Sequence, residues 1–374
     1  MHGRMTMLRD HNDVRLEGMA PRPHVLVIGG GIAGLTLAGA LDPARWRVTV
    51  VEGQPQRAAF GAGLLLWPSA QRALVRLGHG PALAGLTCDA GGVTLRSADG
   101  TLLAHHEGGA PRPRFVGRPD LLGLLDDAVP AEVARRTEEV VDPFALAHAL
   151  GADLVVGADG VRSVVRRATW PGTDPRDTGW VALRGVLDGE TATTTEYWGP
   201  GQLFGITPHP HGTNWFAAFR NDVPGGGDPA ALLADARDRF EGWAPEIGDV
   251  LARVTPRTAG AQRLVVTPPR PRIAATRAGR RVVLVGDAAH AMTPNLGRGA
   301  CEAVVDAAVL ARALDRYGPV RGVAAYERRR LLPGQLLRLA ATPALHVATT
   351  TRLAFLRDRV LQAGPGRRDT RSTR

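Results

Sequence analysis

The sequence predicts an α/β protein: a mostly parallel sheet with helices, an inserted and mainly antiparallel β-sheet, and helices at the C-terminal end. Three observations predict this arrangement. Apolar strands at residues 25–28, 154–156 and 282–286 each run into a turn that contains glycine. Short β-rich runs separated by glycine, proline and asparagine fill residues 179–266, as in an antiparallel sheet. The leucine-rich residues 331–356 are interrupted by arginine and proline, which is typical of amphipathic helices.

The first strand is followed by the pattern G-x-G-x-x-G at Gly29, Gly31 and Gly34. In a Rossmann-like unit, the first glycine allows a tight turn, the second lets a pyrophosphate approach the backbone, and the third lets helix and strand pack closely. The helix that follows offers free N–H groups to phosphates. A second strand at residues 47–51 ends at Glu52, whose carboxylate can accept a hydrogen bond from a ribose hydroxyl. This pattern predicts a dinucleotide with an unphosphorylated ribose, as in FAD or NAD.

Two more strand ends carry an acid. Asp159 follows residues 154–156, and Asp287 follows the strand that precedes the glycines Gly297 and Gly299. In an open α/β sheet, ligands bind beyond the carboxyl ends of the strands, so both acids are candidates for the same ligand. For Asp159 a purely structural role, as the N-cap of the next helix, stays equally open.

Together these stretches resemble the signatures of the single-component FAD-dependent monooxygenases, the aromatic-hydroxylase family with a p-hydroxybenzoate hydroxylase-like fold. The glycine pattern is similar to the family's first signature, "GADGVRS" to its second, and "GDAAHAMTPNLGRGACEAVVDA" to its third. Two weaker matches lie between them: the segment that contains Gly63, and "GRPDLLGLL", which contains Arg118. The resemblance covers roughly residues 25–330.

The resemblance implies a Rossmann-like FAD-binding domain with an inserted substrate domain. It implies a monooxygenase that uses NAD(P)H as a transient electron donor and O₂ as the oxidant. Such an enzyme would hydroxylate or epoxidise a small, largely apolar or aromatic substrate, with secondary metabolism as one setting for this activity. Glu52 would bind the adenosine ribose, Arg118 the pyrophosphate or ribityl region, and Asp287 the ribityl chain. Asp159 would lie where FAD and the nicotinamide meet, and residues 297–299 would follow the pyrimidine edge of the flavin.

Arg298 departs from the family pattern, because a glutamine usually stands between these two glycines. The chain contains no lysine, and flavin-dependent halogenases of this fold need a catalytic lysine, so that activity is excluded. Two alternatives stay open: a non-redox, cyclase-like tailoring enzyme, and a reductase or dehydrogenase on the same fold. No catalytic residue is assigned.

The composition of the chain limits which binding partners, metal sites and cellular locations are expected. The chain has 374 residues, of which 44% are hydrophobic and 22% charged, as in ordinary globular proteins. The formal charge of +10 comes from scattered arginines, so no nucleic-acid partner is expected. The two cysteines form no disulfide or metal pattern, and His209 and His211 lack a third ligand, so no metal site is expected. Without a signal peptide or long apolar segment, a cytoplasmic protein with no membrane contact is expected. The oligomeric state stays open.

The motifs also suggest domain boundaries. The FAD-binding domain is expected to comprise residues 22–80, 112–178 and 272–316, and the substrate-binding domain residues 81–111 and 179–271. Residues 1–21 are expected to be a disordered extension, residues 317–362 C-terminal helices, and residues 363–374 a disordered tail. Aromatic residues of the inserted sheet either line a cavity or form the sheet core: Trp180, Tyr197, Trp198, Phe204, Trp215, Phe216 and Phe219.

Overall fold

The structure is a computed structural model that describes residues 21–54, 62–107, 109–222, 227–351 and 354–363. Apart from residues 21 and 363, the expected N-terminal extension and C-terminal tail lie outside the described residues. No helix in the described ranges is long and apolar enough to cross a membrane.

The described chain contains sixteen strands. In chain order they are β1 (His24–Ile28), β2 (Arg47–Glu52), β3 (Gly63–Leu66), β4 (Thr87–Asp89), β5 (Val93–Ser97), β6 (Leu102–His106), β7 (Arg114–Gly117), β8 (Ala134–Thr137), β9 (Leu154–Gly157), β10 (Arg176–Leu187), β11 (Thr194–Gly199), β12 (Gln202–His209), β13 (Gly212–Arg220), β14 (Gly260–Val266), β15 (Ala274–Arg277) and β16 (Arg280–Leu284).

Eleven α-helices connect or flank these strands in the same described ranges. They are α1 (Ile32–Ala40), α2 (Pro68–Arg76), α3 (Gly80–Gly85), α4 (Arg118–Asp127), α5 (Pro143–Ala149), α6 (Val164–Thr169), α7 (Pro229–Arg239), α8 (Pro245–Arg253), α9 (Asp287–His290), α10 (Gly299–Ala348) and α11 (Ala354–Ala363). Helix α10 is interrupted at Gly318, whose φ of 71° is not helical, so two helices meet there at a kink.

The predicted parallel sheet has six strands in the order β15-β16-β9-β1-β2-β8, and β15 alone runs antiparallel to its neighbour. Every residue of β1 and β9 is buried, as expected for strands covered on both faces. Ile28 pairs with Gly157, and Gly157 pairs with Leu284. The chain therefore leaves β1, β9 and β16 at adjacent points on one edge of the sheet. This places the three glycine-containing turns side by side.

The predicted antiparallel sheet has seven strands in the order β14-β10-β13-β12-β11-β5-β6, with one parallel pair, β11 and β5. The hairpin formed by β5 and β6 therefore joins this sheet, although it precedes β10 by a long stretch of chain. Strands β3, β7 and β4 form a third, small antiparallel sheet.

The aromatic residues of the seven-stranded sheet divide between its two faces. Four of them belong to a hydrophobic core that includes side chains of α7 and α8: Tyr197, Phe204, Trp215 and Phe219. For these four, the sheet-core interpretation is confirmed. The other three, Trp180, Trp198 and Phe216, lie on the opposite face, where Leu345 and Ala348 at the end of α10 also pack.

Candidate functional site

The three glycines of the first turn have different surroundings. A Cβ on Gly29, whose φ is 108°, would lie 2.3 Å from the Ala158 carbonyl oxygen. A Cβ on Gly34 would lie 1.9 Å from the Gly29 oxygen, so this glycine allows α1 to approach the turn after β1. A Cβ on Gly31 would meet no atom within 4 Å. The fold itself therefore requires Gly29 and Gly34, whereas Gly31 borders open space.

That open space lies at the N-terminus of α1. Gly31 is the N-cap of this helix, no side chain caps it, and its first turn contains no acid. Its free N–H groups and the positive end of the helix dipole are therefore available to an anionic ligand. The neighbouring Glu52 is oriented by two backbone donors, since the N–H groups of Gly30 and Gln54 donate to Oε2 and Oε1, both at 2.8 Å. Its remaining lone pairs can accept ribose hydroxyls.

Asp159 has one structural oxygen and one without a partner. Its Oδ2 accepts the N–H groups of Val164 at 2.7 Å and Val165 at 3.2 Å, at the start of α6. Its Oδ1 is buried without a hydrogen-bond partner among the described residues. Burial raises the pKa of this carboxyl, and the backbone hydrogen bonds at the start of α6 oppose the shift. Ser163, not Asp159, is the N-cap of α6, but Asp159 also secures the helix start.

Asp287, the first residue of α9, lies in a recess. It is accessible from outside, yet desolvation by the surrounding protein raises the pKa of its carboxyl, while the charges of His290 and Arg118 lower it. A Cβ on Gly299 would lie 3.7 Å from Asp287 Oδ1, so the N-terminus of α10 faces this carboxylate. Gly297 has a φ of 58°, and a Cβ there would lie 3.2 Å from Leu65 of β3.

The ten predicted site residues therefore fall into two groups. The ends of β1, β2 and β9 carry the first group: Gly29, Gly31, Gly34, Glu52 and Asp159. The second surrounds the turn between β16 and α10, with contributions from β3 and α4: Gly63, Arg118, Asp287, Gly297 and Gly299. Since β1 and β9 lie beside β16, the two groups border one continuous edge of the parallel sheet.

A buried ionic network holds the second group in place, and the sequence did not predict it. Asp306 accepts hydrogen bonds from the Gly286 N–H at 2.9 Å, from His290 Nε2 at 2.6 Å and from Arg330 Nε at 2.6 Å. Arg330 also pairs with Glu302. Burial alone would lower the pKa of His290, but the Asp306 carboxylate raises it overall, and the same pairing lowers the pKa of Asp306 against the effect of burial.

Arg298, the departure from the family pattern, is part of the same network. Its Nη2 donates to Glu302 Oε1 at 2.9 Å, and its guanidinium lies 5.5 Å from the centre of the Trp67 ring. Both contacts hold the Arg298 side chain against the protein, beside α10. The backbone between Gly297 and Gly299 can therefore still form the turn that the family pattern predicts.

One face of the seven-stranded sheet lies opposite these residues. Glu196 pairs with Gly205, Gly205 with Phe216, and Phe216 with Arg184, so the four form one row across four strands. Directly paired residues point to the same face of a sheet. Burial lowers the pKa of Arg184 to about 10, and the nearby charge of Arg118 adds to this effect. Arg118 therefore lies close to both Arg184 and Asp287.

Contacts with the rest of the protein define the two ends of this face. At one end, Asn214 Oδ1 accepts the N–H of Gly63 in β3 at 2.9 Å. At the other end, Leu345 and Ala348 of α10 pack against Trp180. Along the strands, the row from Glu196 to Arg184 lies between these two contacts, and the effect of Arg118 on Arg184 places that end of the row near the second group of site residues. A space between two sheets is where small-molecule sites are typically found.

A family model described as an FAD binding domain matches residues 258–335. Aurachin C monooxygenase/isomerase of Stigmatella aurantiaca is 34% identical over 78% of this chain and 80% of its own length. 3-Amino-4-hydroxybenzoate 2-monooxygenase of Streptomyces cremeus is 34% identical over 82% of this chain and 83% of its own. 2-Heptyl-3-hydroxy-4(1H)-quinolone synthase of Pseudomonas aeruginosa is 34% identical over 77% and 80%. The chain belongs to the single-component FAD-dependent monooxygenases.

A solved structure agrees with this chain in fold. Klebsiella pneumoniae HpxO, complexed with FAD and uric acid, superposes with a TM-score of 0.77 at 24% identity over 91% of this chain and 92% of that one. The predicted fold class is thus confirmed, as are FAD as the cofactor and monooxygenase as the enzyme class.

The described residues fit FAD on structural grounds. The open space at Gly31, the uncapped N-terminus of α1 and the recessed Asp287 provide complementary surfaces for a pyrophosphate and for hydroxyl groups. Within the described ranges, no group of three or more His, Cys, Asp or Glu side chains is arranged so that it could hold a metal ion.

Proposed function

We propose that the protein uses electrons from NAD(P)H and one oxygen atom of O₂ to oxygenate a small, largely apolar aromatic molecule. The observation that carries this proposal is the row of Glu196, Phe216 and Arg184, which faces the proposed flavin site across a cleft. Two relatives support the aromatic class, since one is named for a benzoate and the other for a quinolone.

In this proposal, FAD lies across the strand ends. The N-terminus of α1 beside Gly31 would hold its pyrophosphate, and Glu52 its adenosine ribose. Asp287 would accept hydrogen bonds from the ribityl hydroxyls, with Arg118 close by. The N-terminus of α10 would face the flavin ring, where its dipole favours negative charge by about 0.3–1 kcal/mol or more when partly buried. When bound, FAD supplies hydride acceptance and oxygen activation.

The protein's own residues have a different task, which is to hold the substrate and exclude water. The Phe216 ring provides an apolar surface for an aromatic ring, and the ends of the cleft are closed by the contacts of Asn214 and of Leu345. No protein nucleophile is needed for this reaction. Both cysteines, Cys88 and Cys301, are free thiols, which supports a reducing, cytoplasmic location.

The test is a purified protein assayed in parallel for three signals. We expect a yellow protein that absorbs at about 450 nm, as flavins do. We also expect that an aromatic substrate stimulates both NAD(P)H oxidation and O₂ uptake, and that the product gains one oxygen atom. Product formation without O₂ uptake would instead identify a cyclase-like or other non-redox enzyme. NAD(P)H oxidation that reduces the substrate without adding oxygen would identify a reductase.

A further inference from the structure

The row on the seven-stranded sheet contains a carboxylate beside an aromatic ring. A Cβ on Gly205 would lie 2.1 Å from Phe216 Cζ, so the Phe216 ring covers this glycine. Glu196 is the direct partner of Gly205 on the next strand. Glu196 and Phe216 therefore lie on the same face of the sheet, the face against which we propose that the aromatic substrate binds.

Glu196 has one oxygen in use and one without a partner. Trp198 Nε1 donates to Glu196 Oε2 at 2.9 Å, and no other described residue donates a hydrogen bond to this carboxylate. Glu196 also forms no ion pair in the described part of the chain, although it is half-buried. Desolvation raises the pKa of its carboxyl, and the Trp198 hydrogen bond opposes the shift. Oε1 is not among the buried polar atoms that lack a partner in the described residues, so this oxygen is open to solvent and to a ligand in the cleft.

The other charged groups around this face do not neutralise Glu196. Arg184 of β10 donates to Gln262 at 2.5 Å, and Arg118 of α4 lies beyond it, close to Asp287. Arg357 of α11 lies 5.8 Å from the centre of the Trp198 ring and donates to backbone carbonyls at the end of α10. The free oxygen of Glu196 is thus available to the cleft.

We propose that Glu196 is the residue that recognises the substrate's polar group: its free oxygen accepts the hydrogen of an O–H or N–H group on the aromatic ring and takes that proton. The substrate class is therefore a neutral aromatic or heteroaromatic ring with such a donor. A substrate carboxylate at this position would be repelled by the like charge of Glu196. This inference rests on the proposed function, because it assumes that the substrate lies in this cleft.

The proton transfer balances without another reactant. A lone pair of the heteroatom delocalises into the ring and makes the carbons ortho and para to it nucleophilic, and these are the carbons at which oxygen would be added. As this pair is drawn into the ring, the O–H or N–H bond becomes acidic enough for a carboxylate: it breaks, an O–H bond forms on Glu196, and the bonding pair stays on the heteroatom. The substrate must be bound within hydrogen-bond distance of Glu196 for this transfer.

The experiment measures binding of matched probes to the FAD-loaded enzyme by calorimetry. The probe pairs are 4(1H)-quinolone with its N-methyl analogue, and phenol with anisole. We expect the wild-type enzyme to bind the donor of each pair about tenfold more tightly, since a hydrogen bond to a buried charged group is worth at least that factor. In Glu196→Gln, which keeps the side chain's size, we expect the ratio to fall within about threefold.

The control variant is Glu190→Gln, which alters an exposed carboxylate outside the row and should keep the wild-type ratio. The pH dependence provides a second readout. Protonation of Glu196 at low pH should abolish the preference for the donor probes in the wild type, while Glu196→Gln should show no such dependence. A steric preference against the methyl group would instead persist in Glu196→Gln.

Equal ratios in the wild type and Glu196→Gln would overturn the inference, and so would failure of both donor probes to bind the FAD-loaded enzyme. Either result leaves the proposed function standing if the protein binds FAD and consumes NAD(P)H and O₂ with another substrate. Failure of the protein to bind FAD, by contrast, would overturn the proposed function itself. The two failures are therefore distinguishable.

Discussion

Gly31 and Gly34 allow a sharp test of the FAD site, because the same change should have opposite effects at the two positions. Gly31 has φ −85° and ψ −169°, which alanine adopts without strain, and its Cβ would meet no protein atom within 4 Å. Gly31→Ala should therefore stabilise the apoprotein by about 0.4–1 kcal/mol, through the reduced entropy of the unfolded chain. Gly34→Ala would place a Cβ 1.9 Å from the Gly29 oxygen and should destabilise it.

FAD affinity, by contrast, should fall mainly in Gly31→Ala. If the pyrophosphate approaches the backbone at Gly31, a methyl group there overlaps the ligand, and overlap of this kind costs about 1–3 kcal/mol. The dissociation constant for FAD should then rise about tenfold to a hundredfold in Gly31→Ala. For Gly34→Ala, the cost of about 1–3 kcal/mol falls on folding instead.

The assay is thermal unfolding of the FAD-stripped protein by circular dichroism, together with FAD titration followed by flavin fluorescence. Gly31→Ala should unfold at or slightly above the wild-type temperature yet bind FAD weakly. Wild-type FAD affinity in Gly31→Ala would refute the assignment of the open space beside α1 to the pyrophosphate. A Gly34→Ala protein as stable as the wild type would refute the packing argument.

Three further predictions concern the second group and the sheet face. Asp287→Ala should be purified largely without FAD, as measured by its absorbance spectrum, while an unchanged flavin content would remove Asp287 from the ribityl site. Asp306→Asn should lower the free energy of unfolding in urea by about 3–5 kcal/mol, because a buried ion pair is broken. The pKa of Asp306 is lowered and that of His290 is raised, so their pairing should stabilise the fold only between these two pKa values. The free energy of unfolding should therefore fall as the pH drops through the pKa of Asp306 and as it rises through that of His290. Asp306→Asn should remove this pH dependence, and a wild-type pH profile in the variant would contradict the argument. Gly205→Ala should displace the Phe216 ring and raise KM with unchanged FAD content, whereas an unchanged KM would place the substrate elsewhere.

The parallel sheet and its ligand turns could be predicted from local sequence. Each is encoded by a short apolar strand and a few glycines, whose roles depend on residues close in the chain. The position of Gly31 at the N-terminus of α1 is such a case. The strand before Asp287 shows the limit of this approach: residues 282–286 were predicted, whereas β16 comprises Arg280–Leu284. Strand ends depend on pairing with neighbours and shift by a residue or two.

The buried network and the sheet face required three-dimensional information. Glu302 and Asp306 are four residues apart, so they share a helix face, but only the fold brings Arg330 and His290 to them. Similarly, alternation along β11 separates Glu196 from Tyr197, but the register decides which of the two faces the cleft. The sequence could therefore not distinguish the aromatic residues of the core from Phe216.

The kink at Gly318 allows a single continuous stretch of chain to brace both large sheets. Before the kink, α10 contributes Val304 and Leu310 to the core of the parallel sheet, and beyond it Leu345 and Ala348 press on the antiparallel one. The side chains of Leu345 and Ala348 therefore set how closely the end of α10 approaches the antiparallel sheet. Larger side chains at Ala348, which is not among the predicted cofactor residues, offer protein engineers a way to change which ring sizes the cleft admits.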